Sequence, residues 1–198
     1  QADLDCIHTL GFRGEALASV AAVARVEVLT RQQDAPLGVR YAIAGSVEEC
    51  CEPAGCPTGT TIVIRDLFFN VPVRQKFLKK DVTEGNAVAA VLQKMILSHP
   101  EIAFTFLRDN KQELHAGGDG TLLAAIYAVF GRGFAGDLLS VDYEEGGIAV
   151  RGFAVKPLYA KSNRSIQCFF VNGRAVKSFP CTIALEEAYR TLLMNGKF

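Results

Sequence analysis

The spacing of apolar side chains divides the chain into stretches of two periods. Residues 60–67 alternate, with Ile62 and Ile64 to one side and Val63 and Arg65 to the other, which predicts a strand. Residues 26–30 and 39–44 are runs of the same kind, separated by the turn-forming Asp34-Ala35-Pro36-Leu37-Gly38. Residues 46–58, rich in Glu, Cys, Gly and Pro, read as a strand end and a loop. The helical period governs 15–23, where Leu17, Val20 and Ala21 share a side. It returns at Val88, Val91, Leu92, Met95 and Ile96, after Asp81 and Glu84 at capping-box spacing, and Pro100 closes that segment.

Residues 103–108 and 112–116 predict a hairpin around Asp109-Asn110-Lys111. Gly117-Gly118-Asp119-Gly120 is the best linker candidate. Beyond it, Leu122, Ala125, Ile126, Val129 and Phe130 form a helical stripe that Gly131 ends. Strands are expected at 138–143, 148–155 and 166–171, the last stopped by Asn172-Gly173. A closing helix at 181–194 turns Leu185, Ala188, Tyr189 and Leu192 inward. The pattern is mixed α and β in two blocks, 1–117 and 118–198, with no internal repeat.

Composition changes this picture little. A chain of 198 residues, 49% hydrophobic and 21% charged, has the balance of a globular protein with a core of its own. Its formal net charge of zero announces neither a nucleic acid nor a membrane surface. No run approaches the roughly 18–20 apolar residues of a membrane span, and Gln1 does not begin a charged-then-apolar leader. Cys50, Cys51 and Cys56 cluster, but no CxxC or Cys/His pair completes a zinc site, so unpaired thiols of a cytosolic protein are the plain reading. The chain opens at Gln1 inside a patterned segment and stops at Phe198 after a helix-like run, as a piece of a longer protein would.

The sharpest chemical signal is Thr9-Leu10-Gly11-Phe12-Arg13-Gly14-Glu15-Ala16-Leu17-Ala18-Ser19. Two glycines allow a close approach of backbone to an anion, the first N–H groups of the helix are unpaired, and Arg13 adds charge. Taken alone, the same residues describe a tight turn whose Glu15 favours a helix start. The full string, however, resembles the third nucleotide-binding motif of the MutL family of mismatch-repair proteins, within the GHKL group of ATPases. Gly59-Thr60-Thr61-Ile62-Val63-Ile64-Arg65-Asp66-Leu67-Phe68-Phe69-Asn70-Val71-Pro72-Val73-Arg74-Gln75-Lys76-Phe77-Leu78 resembles the fourth motif and the segment after it. Asn163-Arg164-Ser165-Ile166-Gln167, leading into Phe169-Phe170-Val171-Asn172-Gly173-Arg174, resembles the strand and turn of the family's transducer domain. The three strings stand in family order across essentially the whole chain.

The resemblance implies a truncated GHKL ATPase α/β sandwich over 1–117. It implies a small α/β transducer domain over 118–198, like a small-ribosomal-subunit protein and incomplete at its end. Gly11, Phe12, Arg13 and Gly14 would lie in the mobile lid around the triphosphate of ATP, and Thr60 under the adenine. For Thr60 the residue-level alternative is simply a good strand former. Val71, Val73 and Gln75 depart from the Thr, Ala and Arg more usual in relatives. In the family, the general-base Glu, the Asn that binds Mg2+ and the Asp that reads adenine precede the segment matched here. The Lys that reaches the terminal phosphate follows it. The chain by itself is therefore expected to hold no catalytic residue, no metal ligand and no ATP turnover.

Arg74 and Lys76, with Lys79 and Lys80, make one basic cluster; Lys161, Arg164, Arg174 and Lys177, with Lys156, make another. Either set is a solvated surface or, as the resemblance implies, a groove that contacts DNA phosphates without strong sequence preference. The family pattern further implies a MutS-type mismatch-recognition partner and an ATP-driven homodimer through the ATPase region. It implies no membrane role and a cytoplasmic, nucleoid-associated location. Two alternatives remain: a non-catalytic DNA-binding or docking module, and the ATPase region of a type II topoisomerase, which the wording of 9–19 and 66–77 disfavours.

Overall fold

A computed structural model describes residues 11, 14–133, 138–194 and 196–198. The chain divides into two compact units, Gln1–Lys80 and Asp81–Phe198.

In the first unit a short helix, α1 (Ala16–Ala21), leads into four strands: β1 (Arg25–Arg31), β2 (Gly38–Ala44), β3 (Val47–Ala54) and β4 (Gly59–Arg65). They form one sheet in the order β3-β2-β1-β4, with every neighbour antiparallel. Register decides what each face is made of. Val26 lies opposite Ile43 and Ile64, Val28 opposite Tyr41 and Ile62, and Thr30 opposite Val39 and Thr60. Because side chains alternate across a strand, these nine share one face. Helix α1 covers its Val26 end: Ala21, Ala24 and Val26 are buried together, with Val20, Val28 and Ile43 against them. The opposite face is ionic. Arg40 bridges Glu27 at 2.6 Å and Glu52 at 2.9 Å, and Arg65 reaches Glu27 at 3.6 Å. This is the half-covered pattern expected of an antiparallel sheet.

The segment read as a strand end and loop is instead a full strand, β3. Its sequence hides it because an edge strand needs no apolar face; the backbone ladder to β2 carries it, and Pro53 is tolerated there. The turn before it, Gly45 and Ser46, has both φ angles positive (54° and 70°), the two-residue geometry that suits a hairpin's twist. After β4 comes a single helical turn, α2 (Pro72–Gln75), with proline at its start.

The second unit opens with α3 (Asp81–Ser98), whose first turn carries Asp81 and Glu84. Its buried residues are Ala89, Ile96 and Leu97, while Val88 and Val91 are exposed. Hairpin β5 (Phe104–Arg108) and β6 (Lys111–Ala116) turns at Asp109 and Asn110, again both at positive φ. Helix α4 (Leu122–Phe130) begins on a Thr121 cap that accepts from the Ala124 N–H and ends at Gly131. Ile96, Leu97, Ala116, Ala125 and Ile126 form the core, ringed by Phe104, Leu122, Phe130 and Phe170. The boundary expected at 117/118 thus falls inside this unit, because α3 and the β5–β6 hairpin pack on α4. Nor is Gly117-Gly118-Asp119-Gly120 a loose linker: Gly120 donates to the Pro100 carbonyl, and Asp119 accepts from the backbone and hydroxyl of Thr121.

Two further hairpins follow, β7 (Leu138–Glu145) with β8 (Ile148–Val155), and β9 (Phe169–Val171) with β10 (Arg174–Val176). The strand expected at 166–171 pairs only over its last three residues, turning at Asn172 and Gly173. Helix α5 (Phe179–Tyr189) starts on a Ser178 cap, and the Tyr189 hydroxyl donates to the Val155 carbonyl at 2.5 Å. It is shorter than expected. The chain turns off at Arg190, which leaves Leu192 62% exposed rather than inward, and Ala188 is exposed as well. Among the described residues no helix is long and apolar enough to cross a membrane.

Candidate nucleotide site and basic surfaces

Gly14 precedes α1 with φ +66°, a conformation that a side chain disfavours, and a Cβ added there would meet nothing within 4 Å. Glycine is therefore favoured by backbone geometry, and no described atom crowds the space beside it. For Gly11, likewise, no described atom lies within 4 Å of an added Cβ. Phe12 and Arg13, expected between them, lie outside the described residues. Glu15 makes no side-chain cap, so the first helical N–H groups depend on other partners.

Thr60 sits near the start of β4, its hydroxyl 2.9 Å from that of Thr30 across the β1–β4 ladder. By register it shares the sheet face that α1 packs on, four residues along β4 from Ile64, or roughly 13 Å at a strand's rise. Helix α1 and Thr60 thus share one face of one sheet.

What sequence reasoning missed is the junction behind α1. Four consecutive carbonyls there are each received. Ser46 N–H donates to Ala21 at 3.0 Å, the Asn70 side-chain amide to Ala22 at 2.9 Å, Phe68 N–H to Val23 at 2.7 Å, and Gly45 N–H to Ala24 at 3.3 Å. To reach them the chain after β4 takes positive φ at Asp66 (53°) and Phe68 (66°), which costs on the order of 1–3 kcal/mol per non-glycine residue. Arg25 braces the same corner, 3.3 Å from Asp66, 3.5 Å from Glu49, and over the Phe69 ring at 4.8 Å. The only advance signal was positional: Asn70 follows a strand and precedes a proline, where turns concentrate.

The basic residues fall into separate groups. Arg74 lies in α2 with Lys76 just after it, both exposed, in the first unit. In the second unit Lys161, Arg164, Arg174 and Lys177 are exposed around β9 and β10. Arg164 is committed internally: it forks onto Glu186 of α5 at 2.5 and 3.0 Å and lies over the Phe198 ring at 4.0 Å. Its hydrogen bonds hold the Glu186 carboxyl below the usual range, and Glu186 raises the guanidinium in turn. The Lys161 backbone exchanges two hydrogen bonds with Phe198, so this corner is a tie between segments as well as a charged surface.

A cavity of about 320 Å³ in the second unit is lined by Leu122, Ile126, Phe153, Cys168, Leu185 and Tyr189 among others. Its walls are mainly apolar, and burial pushes the Cys168 thiol up, keeping it neutral. Arg151, Lys156 and Gln167 also line it. Among the described residues no group of three His, Cys, Asp or Glu could hold a metal ion, and no step through magnesium is derived for them.

Similar folds in solved structures share this mixed α/β build. The Aquifex aeolicus MutL ATPase domain complexed with ADP matches with a TM-score of 0.75 and 27% identity, over 91% of this chain and 68% of that one. An N-terminal domain of a DNA repair protein matches with a TM-score of 0.77 over 93% of this chain and 61% of that one; at 24% identity it speaks to fold alone. The class is therefore that of the α/β ATPase-domain structures of mismatch repair. A family model described as the C-terminal domain of DNA mismatch repair protein matches residues 126–198, starting inside α4. DNA mismatch repair protein MutL of Agathobacter rectalis is 45% identical over 196 residues, and that of Symbiobacterium thermophilum equally so; each match covers 99% of this chain. The chain belongs to the MutL family of DNA mismatch repair proteins. It spans 30% of the first relative's length and 31% of the second's.

Proposed function

We propose that this chain supplies part of the nucleotide cradle of a MutL-type mismatch-repair ATPase. The observation that carries this reading is the open, positive-φ Gly14 at the head of a helix packed on the sheet face that also bears Thr60. Gly11, Phe12, Arg13 and Gly14 wrap the phosphates of ATP, and the Thr60 hydroxyl helps hold the base. The ADP complex of the Aquifex relative supports a nucleotide in this fold. Hydrolysis with Mg2+ belongs to residues the family carries outside the matched segment. ATP then gates homodimerisation and couples a MutS-type partner to strand removal. The division into ATPase part and transducer domain, with its ribosomal-protein-like fold, belongs to the same proposal, as does a cytoplasmic, nucleoid-associated setting.

Titration of the chain with ADP, followed by amide NMR, tests the site. Shifts confined to residues 11–19 and to β4 near Thr60 are expected; shifts confined to the second unit would remove the assignment. Purified chain is expected to turn over no ATP above a buffer control. DNA contact by Arg74, Lys76, Lys161, Arg164, Arg174 and Lys177 predicts binding that falls steeply between 50 and 200 mM salt, as phosphate contacts do. Binding that ignores salt would refute phosphate contact. Since Arg164 is matched by Glu186, its removal is expected to weaken DNA binding less than removal of Lys177.

A further inference from the structure

The structure assigns Asn70 a positioning role: through the carbonyl of Ala22 it sets the seat of helix α1, and with it the glycine turn that opens the helix. This rests on the nucleotide reading above for its consequence, but the seat itself stands on geometry. Helix α1 has only six residues, about 9 Å of axis, so it cannot hold its own orientation by internal hydrogen bonds. Its pose is fixed from behind. Carbonyls 21–24 are shared between two loops: Gly45 and Ser46 take the outer pair, Ala24 and Ala21, while Phe68 and Asn70 take the inner pair, Val23 and Ala22.

Three of these four donors are backbone amides, so they follow wherever the chain goes. Asn70 is the one side-chain donor, and it ties the segment after β4 to the helix end. The two loops also meet each other. A Cβ on Gly45 would stand 3.1 Å from Asn70 Nδ2 and 3.3 Å from Phe69 Cζ, and Gly45 already needs φ +54°. A side chain at residue 45 would therefore crowd the Asn70 amide and the Phe69 ring. Because a short helix moves as a rigid rod, a shift at Ala22 is carried to Gly14 at its other end. Asn70 also stands two residues before α2, which carries Arg74, so the seat joins the glycine turn to the basic segment of the same unit.

The test uses Asn70→Ala and the isosteric Asn70→Asp, in which shape is kept and the donor is lost. Hydrogen exchange is read by NMR at Ser19 and Ala22, whose N–H groups bond within α1, and at Val28 and Leu29 in the central strand as controls. Both variants are expected to speed exchange in α1 about five- to ten-fold, the size of one lost hydrogen bond, and to leave the β1 controls within about two-fold. ADP affinity should fall in step, about three- to ten-fold. Asn70→Asp that exchanges like wild type overturns the role, since the donor is then immaterial. Faster exchange in α1 with unchanged ADP affinity overturns positioning of the glycine turn. Gly45→Ala, which crowds the amide without removing it, should reproduce both effects; wild-type behaviour there also counts against the seat. If the wild-type chain binds no ADP, the nucleotide reading falls, and the exchange rates alone decide whether Asn70 seats the helix.

Discussion

Two glycine-bearing turns, 11–14 and 117–120, resemble each other in composition and differ in what surrounds them. Around Gly118 a Cβ would lie 2.5 Å from the Ala103 nitrogen, at φ +74°, and neighbouring backbone groups are already hydrogen-bonded within the unit. At Gly11 and Gly14, as at Gly117 and Gly120, no described atom lies within 4 Å of an added Cβ. Gly118 is therefore the position held by close packing, and Gly14 is not. Glycine at 118 answers to close packing, and at 14 to a left-handed backbone conformation. The contrast predicts that stability and binding separate between the two turns.

The largest effect should come from Gly118→Ala, which clashes with backbone and occupies a disfavoured φ. About 2–4 kcal/mol of stability should be lost, read by urea unfolding. A loss below about 0.5 kcal/mol would mean that the turn yields easily and the comparison fails. Gly14→Ala should cost less stability, about 1–2 kcal/mol for its left-handed backbone, but weaken ADP binding about ten-fold. Gly11→Ala, where no described atom lies within 4 Å of the added Cβ, should leave stability within about 0.5 kcal/mol while still lowering ADP affinity. Equal stability losses at Gly11 and Gly118 would erase the distinction. Thr121→Ala removes the cap that the packed turn feeds and should cost about 1 kcal/mol.

The smallest effect is a dependence on pH. Arg164 depresses the Glu186 carboxyl in the folded chain, so on acidification the unfolded chain binds protons first. The tie is intact above the ordinary Glu range near pH 4.3 and weakens as pH falls below it. Glu186→Gln should flatten the fall in melting temperature below that pH; an unchanged slope would show the pair to be idle.

Much of this architecture could be read from local pattern. Asn172-Gly173 marked the end of β9 because both residues tolerate positive φ, and the α4 stripe ended at Gly131 for the same reason. The Ile62/Ile64 alternation marked β4. Strand β3 escaped because its polar side chains carry no period, and the ladder that makes it a strand is a property of β2. Leu192 was misread because a helical period continues in sequence past the point where the backbone turns away. Within the candidate site, Gly11, Gly14 and Thr60 could be picked out by motif and resemblance. Asn70 could not, since its partner at Ala22 is 48 positions away and becomes visible only with the register of β1 against β4.

That register has a kinetic consequence. Among the described strands, every pairing except β1–β4 joins neighbours in sequence through a short reversal. Such hairpins can close on their own within about 1–10 μs. The β4 zipper must instead wait for β2 and β3 to be looped out, paying chain-closure entropy before any contact rewards it. Assembly of the surface that holds Thr60 is thus the late event of the first unit, and a newly made chain acquires its hairpins before that face is complete.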